Sequence, residues 1–140
     1  MSLQPFHLAI TVTDLAKARE FYGGLLRCPE GRSSEEWVDF NLYGHQLVCH
    51  LDNADNQART RKRVDDKHVP VPHFGVVLEQ NEWELLADRL RDAGMEFILE
   101  PGVRFAGLPG EQATFFLTDP FGNALEFKAL RDPGNLFSKQ

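Results

Sequence analysis

Four side chains in this sequence carry ligand chemistry where strands usually carry hydrophobes. His7 lies in Phe6-His7-Leu8-Ala9-Ile10, His50 in Leu47-Val48-Cys49-His50-Leu51, His73 opens His73-Phe74-Gly75-Val76-Val77-Leu78, and Glu126 lies in Ala124-Leu125-Glu126-Phe127-Lys128. Successive side chains of a strand point to opposite faces, so Glu126 shares a face with Ala124 and Lys128, while Leu125 and Phe127 take the other. A carboxylate buried in such a strand is costly unless something neutralises it, and Lys128 or an arginine offers the plain alternative to a metal. Imidazole and carboxylate together suit Fe, Mn, Ni, Zn or Co, and two His with one carboxylate leave positions open for substrate or oxygen. Neighbouring strands lie about 4.8 Å apart, and ligands to one ion need donor atoms within roughly 3–4 Å of each other. These residues therefore predict one divalent metal held by His7, His50, His73 and Glu126. His45, in a turn, and His68, in a charged stretch, are read as structural.

The elements that must position them follow from periodicity. Phe6 to Val12 alternates, with Phe6, Leu8, Ile10 and Val12 on one face and His7, Ala9 and Thr11 on the other. Asp14 reads as the N-cap of a helix carrying Leu15, Ala18, Tyr22 and Leu25, loosened by Gly23-Gly24. A strand is expected within Leu26 to Arg32, another over Trp37 to Tyr43, and a third over Gln46 to Leu51 after the Gly44-His45 turn. Asp52 to Val71, with Arg59, Arg61, Lys62, Arg63, Asp65 and Asp66, reads as a solvated linker, with a flap over the site as its alternative. The order then repeats: a strand over His73 to Leu78, and a helix capped by Asn81 with Glu84 in a capping box. That helix carries Trp83, Leu86, Leu90 and Ala93 on its apolar stripe and stops at Gly94. Strands follow over Met95 to Glu100, Gln112 to Thr118 and Asn123 to Leu130, and the tail after Asp132-Pro133-Gly134 is expected to be loose.

The chain thus reads as a duplicated strand-helix-strand-strand-strand unit, with module 1 at about 4–52, a linker at about 53–71 and module 2 at about 72–131. Each helix must cover the greasy face of its sheet, leaving the other face to curve around a pocket. Alternation also sends Trp37, Asp39 and Asn41 of one half, and Thr114 and Phe116 of the other, to that face. Trp37, Asn41, Thr114 and Phe116 are the expected substrate-binding residues, with Trp37 and Phe116 placed to sandwich a flat aromatic.

Composition narrows the classes. A chain of 140 residues that is 42% hydrophobic, with 11 Phe, suits one domain burying roughly two thirds of its unfolded surface. A net charge of −6 argues against a nucleic-acid surface. No apolar run spans a membrane and no secretory pattern opens the chain. Cys28 and Cys49 are too few for a disulfide scaffold, so the expected compartment is the cytoplasm.

Three segments carry a family likeness: His7 before the strand-helix entry with Asp14 and Phe21-Tyr22, then Pro72-His73-Phe74-Gly75-Val76, then Asp119-Pro120-Phe121-Gly122-Asn123 leading to Glu126. The chain resembles the vicinal oxygen chelate superfamily, also called glyoxalase / bleomycin-resistance protein / dioxygenase, from about Pro5 to Leu130. The resemblance implies an α+β fold of two βαβββ modules in a cupped eight-stranded mixed sheet, with helices on its outer face, and a homodimer. It implies metal ligation by His7, His73 and Glu126. It puts His50 where glyoxalases carry a fourth ligand that doubles as catalytic base, a role imidazole can fill.

Departures from the family pattern narrow the reaction. Thr11 stands where glutathione-dependent glyoxalases carry an arginine. No histidine lies between Glu100 and Glu126, and Phe116 takes the tyrosine position of ring-cleaving dioxygenases. The metal-free bleomycin-binding relatives lack the ligand set. These departures count against both the thiol isomerases and the ring-cleaving enzymes; the triad His7, His73 and Glu126, with Trp37 and Phe116 to sandwich a flat aromatic, still makes a metal-dependent dioxygenase the first expectation, with Fe first and Ni, Zn or Mn as alternatives, acting on a small molecule that chelates through two oxygens. A glyoxalase-type isomerase or lyase is the second reading, and a metal-free binding protein the third.

Overall fold

The computed structural model describes residues 3–52, 60–64 and 67–139. They divide into two compact units, one of Met1–Ala58 with Asp119–Asn123, the other of Arg59–Thr118 with Ala124–Gln140.

The first unit is a four-stranded sheet. β1 (His7–Val12) runs parallel to β4 (His45–Leu51), β4 pairs antiparallel with β3 (Trp37–Leu42), and β3 with the edge strand β2 (Glu30–Ser33). Tyr43 and Gly44 both take positive φ, 51° and 94°, the two-residue turn whose twist matches a hairpin. Asn41 Oδ1 accepts from the Gly44 N–H at 2.6 Å. Asp14 caps α1 (Leu15–Ala18) by accepting from the Lys17 N–H at 3.0 Å. The helix then widens into a π-helical turn, Arg19–Leu25, and the Leu26 N–H reaches the Phe21 carbonyl. This wider turn carries the chain on to Cys28, so β2 begins at Glu30, later than the sequence suggested. Val38, Phe40, Leu42, Leu47 and Cys49 are buried on the core face with Tyr22.

The second unit holds a three-stranded sheet, β7 (Leu99–Arg104), β8 (Gln112–Thr118) and β9 (Ala124–Leu130), all antiparallel. Its helix α2 (Gln80–Asp92) buries Trp83, Leu86, Ala87 and Leu90, and Phe115, Leu117, Leu125 and Phe127 are buried too. The Trp83 indole donates to the Phe127 carbonyl at 2.9 Å. Gly94, at φ 74°, ends the helix, with Met95 N–H bonded to Leu90 O and Gly94 N–H to Arg91 O, the paired bonds of a Schellman cap.

Several expectations need correction. Among the described residues the strands fall into a four-, a three- and a two-stranded sheet, and one eight-stranded sheet is not seen. The expected strand over 73–78 is present as bridges from Phe74 and Val77 alongside β9, with Phe74 N–H bonded to the Ala124 carbonyl and Leu78 N–H to the Lys128 carbonyl; a Cβ at Gly75 would overlap the Glu126 carbonyl oxygen. The chain passes β9 there only because that residue is glycine. The capping box at Asn81 does not form: α2 starts two residues earlier, after Glu79, without a side-chain cap. The Schellman cap draws in Met95, so β7 starts at Leu99 and runs through Pro101, which an edge strand tolerates. The stretch expected as a linker contains a hairpin, β5 (Thr60–Val64) with β6 (Lys67–Val71); the β-branched Val64, Val69 and Val71 favour strand, and Val69 is buried.

Candidate functional site

Glu126 is the best-defined polar group on the second unit's non-helix face. Register puts it opposite Phe116, with Thr114 opposite Lys128, so β8 and β9 place all four on one face. Glu126 is only 8% exposed. Its Oε2 accepts from the Thr114 hydroxyl at 2.5 Å, and its Oε1 lies 3.4 Å from His73 Nε2 and 3.9 Å from Lys128 Nζ. His73 is anchored from behind: its Nδ1 lies 2.8 Å from the Pro70 carbonyl, which can only accept, so Nδ1 carries a proton and Nε2 is the atom turned to Glu126. The Phe116 ring meets the imidazole edge-on, with centroids 4.9 Å apart, and fixes its plane.

That pair fits a metal. A ligating histidine typically gives its far N–H to a carbonyl, and a ligating carboxylate is itself hydrogen-bonded; both conditions hold here. The 3.4 Å gap between Nε2 and Oε1 is what two ligands of one ion require. Lys128 is the rival partner: its ammonium offers Glu126 a counter-charge without any ion.

The first unit brings together a different set. His7 Nδ1 lies 2.8 Å from Gln46 Oε1, and the Gln46 amide donates to Asp39 at 3.1 Å. His7 pairs directly with Gln46 across β1 and β4, and Gln46 reaches diagonally to Asp39 on β3, whose register partner is Val48. His50 pairs with Thr11, four residues farther along, about 13 Å at the rise of a strand. The His50 side chain is exposed and makes no hydrogen bond or ion pair among the described residues. The donor that stands beside His7 is therefore Gln46, which sequence reasoning missed. Alternation alone puts both residues on the right face, but only the parallel register of β1 on β4 tells them apart.

The expected convergence of four donors on one ion is not found as a single cluster: no group of three His, Cys, Asp or Glu among the described residues could hold a metal. The structure brings His73 to Glu126, and His7 to Gln46. Of the expected substrate-binding residues, Thr114 and Phe116 stand at the Glu126 pair, but both are buried, at 1% and 2% exposure. Phe116 is thus committed edge-on to His73 and offers no open face for stacking. Asn41 is engaged by its turn, and Trp37 lies under the Arg32 guanidinium at 5.8 Å. His45 accepts from the Phe6 N–H at 2.9 Å, a structural role as expected. The side chain of His68 lies outside the described residues.

A second polar cluster lies in the first unit. The Tyr22 hydroxyl donates to Asp119 Oδ2 at 2.6 Å, Phe121 and Asn123 N–H groups donate to Oδ1, and the Asn123 amide bridges Asp119 and the Thr11 carbonyl. Burial raises the Asp119 carboxyl above its ordinary value despite those donors. Burial, then Asp119, raises Tyr22, and the same causes push Cys49 up to about 12. Every polar atom of the Asp119 carboxylate is used, so this cluster braces the turn.

The family model for the glyoxalase/bleomycin resistance protein/dioxygenase superfamily matches residues 4–127. The chain belongs to this superfamily. A glyoxalase/bleomycin resistance protein/dioxygenase from Alicyclobacillus acidocaldarius is 33% identical, covers 96% of each chain and superposes with a TM-score of 0.78. A fosfomycin resistance protein, FosX, from Listeria monocytogenes shares the fold at 19% identity and TM-score 0.64, covering 92% of this chain and 94% of its own. A glyoxalase/dioxygenase from Nostoc punctiforme does so at 14% and 0.68, covering 92% of each chain. No curated protein matches the sequence. Members of the superfamily typically bind a divalent metal and act on small molecules, and some are resistance proteins without catalysis. Among the described residues no helix is long and apolar enough to cross a membrane.

Proposed function

We propose that this chain is a small divalent-metal-dependent enzyme, with His73, Glu126 and His7 as its protein donors. The observation that carries this reading is the His73–Glu126 pair, each member tied on its outer side and turned inward to the other at 3.4 Å. A divalent cation held there supplies Lewis acidity to a substrate that presents two oxygens. The protein's own contributions are distinct. Thr114 and Pro70 keep the two donors in fixed orientations, and Phe116 shields the imidazole from water. Lys128 places a positive charge where substrate oxygen would gain negative charge. His50, whose side chain is exposed and without a hydrogen bond among the described residues, is the proposed proton carrier.

Two imidazoles and one carboxylate are the donor set of non-haem iron oxygenases, and a dioxygenase is the reaction we assign first. Oxygen uptake by the Fe(II)-loaded protein with catechol-like substrates tests it. A glyoxalase-type isomerase or lyase using Ni, Zn or Mn is the second reading, favoured by the closed face of Phe116, which removes one support for a stacked flat aromatic at the pair. Turnover under anaerobic conditions with Ni or Zn would exclude the oxygenase. Protein that neither carries nor accepts an ion would instead make Lys128 the partner of Glu126 and the chain a metal-free binding module. A homodimer and a cytoplasmic location complete the proposal; sedimentation checks the first.

A further inference from the structure

Beside the Glu126 pair, on the same sheet, lies a cavity of about 350 Å³ whose walls are Leu99, Gly102, Val103, Phe105 and Thr114, together with the charged Glu100 and Arg104. That is within the size range of small-molecule pockets, and its mainly apolar lining is typical of them. Thr114 belongs to both places: it lines the cavity and holds Glu126 Oε2. Its register partner is Gly102, so the strand position facing it carries no side chain.

The fold does not demand glycine there. A Cβ at Gly102 would meet only the Glu100 carbonyl oxygen, at 3.7 Å, an ordinary contact. This contrasts with Gly75, where backbone occupies the space. Glycine within a strand weakens it and often marks close approach of a ligand or another backbone, and at Gly102 the one nearby backbone atom, the Glu100 carbonyl oxygen, lies at ordinary contact distance. A bulge between Leu99 and Gly102 shifts the register just where the cavity opens, as bulges beside active sites do.

The lip is preformed. Phe105 holds a left-handed φ of 56°, which is unfavourable for an aromatic residue and persists only where its surroundings fix it. Here the Leu108 N–H bonds to its carbonyl, Gly107 N–H bonds to Glu111 Oε1, and the Arg104 guanidinium lies 5.0 Å from its ring. Val103 and Phe105 stay 62% and 42% exposed at the rim.

We propose that this cavity receives an aryl group of the substrate whose oxygen-bearing end lies at His73 and Glu126, and that Gly102 sets how large that group can be. The inference rests on the metal-enzyme reading above for the position of the oxygens, and the test separates the two. In metal-free protein, titration with 3-phenylpropanol should shift the methyl NMR signals of Leu99 and Val103, and Gly102→Leu should abolish those shifts. In Zn- or Ni-loaded protein, 3-phenylpropionohydroxamate should bind about ten-fold or more tightly than acetohydroxamate, as an added ring in an apolar pocket implies. Gly102→Leu should bring that ratio to within about two-fold, and Gly102→Ala to an intermediate value, with acetohydroxamate and metal affinity unchanged. Absence of methyl shifts in the wild type, or an aryl preference that survives Gly102→Leu, overturns the proposal while leaving the metal reading intact. Methyl shifts abolished by Gly102→Leu in a protein that binds no ion keep the aryl cavity and overturn the metal reading instead.

Discussion

His7 and His73 occupy equivalent places in the two halves, yet their surroundings differ. His7 is exposed on β1, and its partner Gln46 is neutral and held in turn by Asp39. His73 is half-buried against Phe116, with its Nδ1 tied to a carbonyl and its Nε2 against a buried carboxylate. Backbone approach accounts for the second arrangement: the segment around Gly75 runs against β9, and that approach brings His73 to Glu126. Strand alternation alone, as on β1, only selects a face. Within the second unit, therefore, close approach and not alternation alone fixes His73 and Glu126 against each other.

The largest way to break this contrast is Gly75→Ala. A methyl group would overlap the Glu126 carbonyl oxygen, so the segment must leave β9, at a cost of about 3 kcal/mol or more. Urea denaturation should show that loss, whereas Gly102→Ala should shift stability by no more than about 1 kcal/mol. Next in size, Glu126→Gln and His73→Ala should each reduce metal affinity by more than about a hundred-fold. Thr114→Val, which unties only the outer oxygen, should reduce it about 10–100-fold; calorimetric titration with Zn or Mn reads all three. In the first unit, Tyr22→Phe leaves Asp119 short of its buried donor and should cost about 1–3 kcal/mol of stability without touching metal affinity. His50→Ala should have the smallest effect on metal affinity, within about two-fold of wild type given a strand offset of about 13 Å from His7, and a larger one on turnover.

A pH series sharpens the same contrast. The folded chain keeps Cys49 protonated up to about 12, against an ordinary value of 9.0, and Tyr22 is raised above 10.0. The unfolded chain releases those protons first, so the stability they contribute is full below about pH 9 and declines as pH rises toward 12. Asp119, also raised, favours the folded state most where it is protonated, and so does not add to acid unfolding. Cys49→Ala should flatten the alkaline decline in melting temperature without altering the metal-binding residues.

Much of this was legible before the structure. Period-2 alternation located β1, β3, β4, β8 and β9 and sent His7, Thr114, Phe116 and Glu126 to the faces they occupy. Asp14 and Gly94 marked helix ends because capping chemistry is local. What stayed hidden depends on register and close approach. The pairing of His7 with Gln46 rather than His50 depends on where a parallel strand slides against its neighbour. The close passage of Gly75 along β9 depends on a backbone contact 51 residues distant in sequence. Phe116 has the alternation of a substrate-facing aromatic, but its burial against His73 could not be read from a pattern that specifies direction and not distance.

The most direct test of the central claim is metal content and its dependence on the His73–Glu126 pair. Protein purified without chelator, assayed by inductively coupled plasma mass spectrometry, should carry close to one divalent ion per chain, and Glu126→Gln should carry nearly none while remaining folded. An empty wild-type protein that cannot be reloaded, or full metal occupancy in Glu126→Gln, would contradict the account.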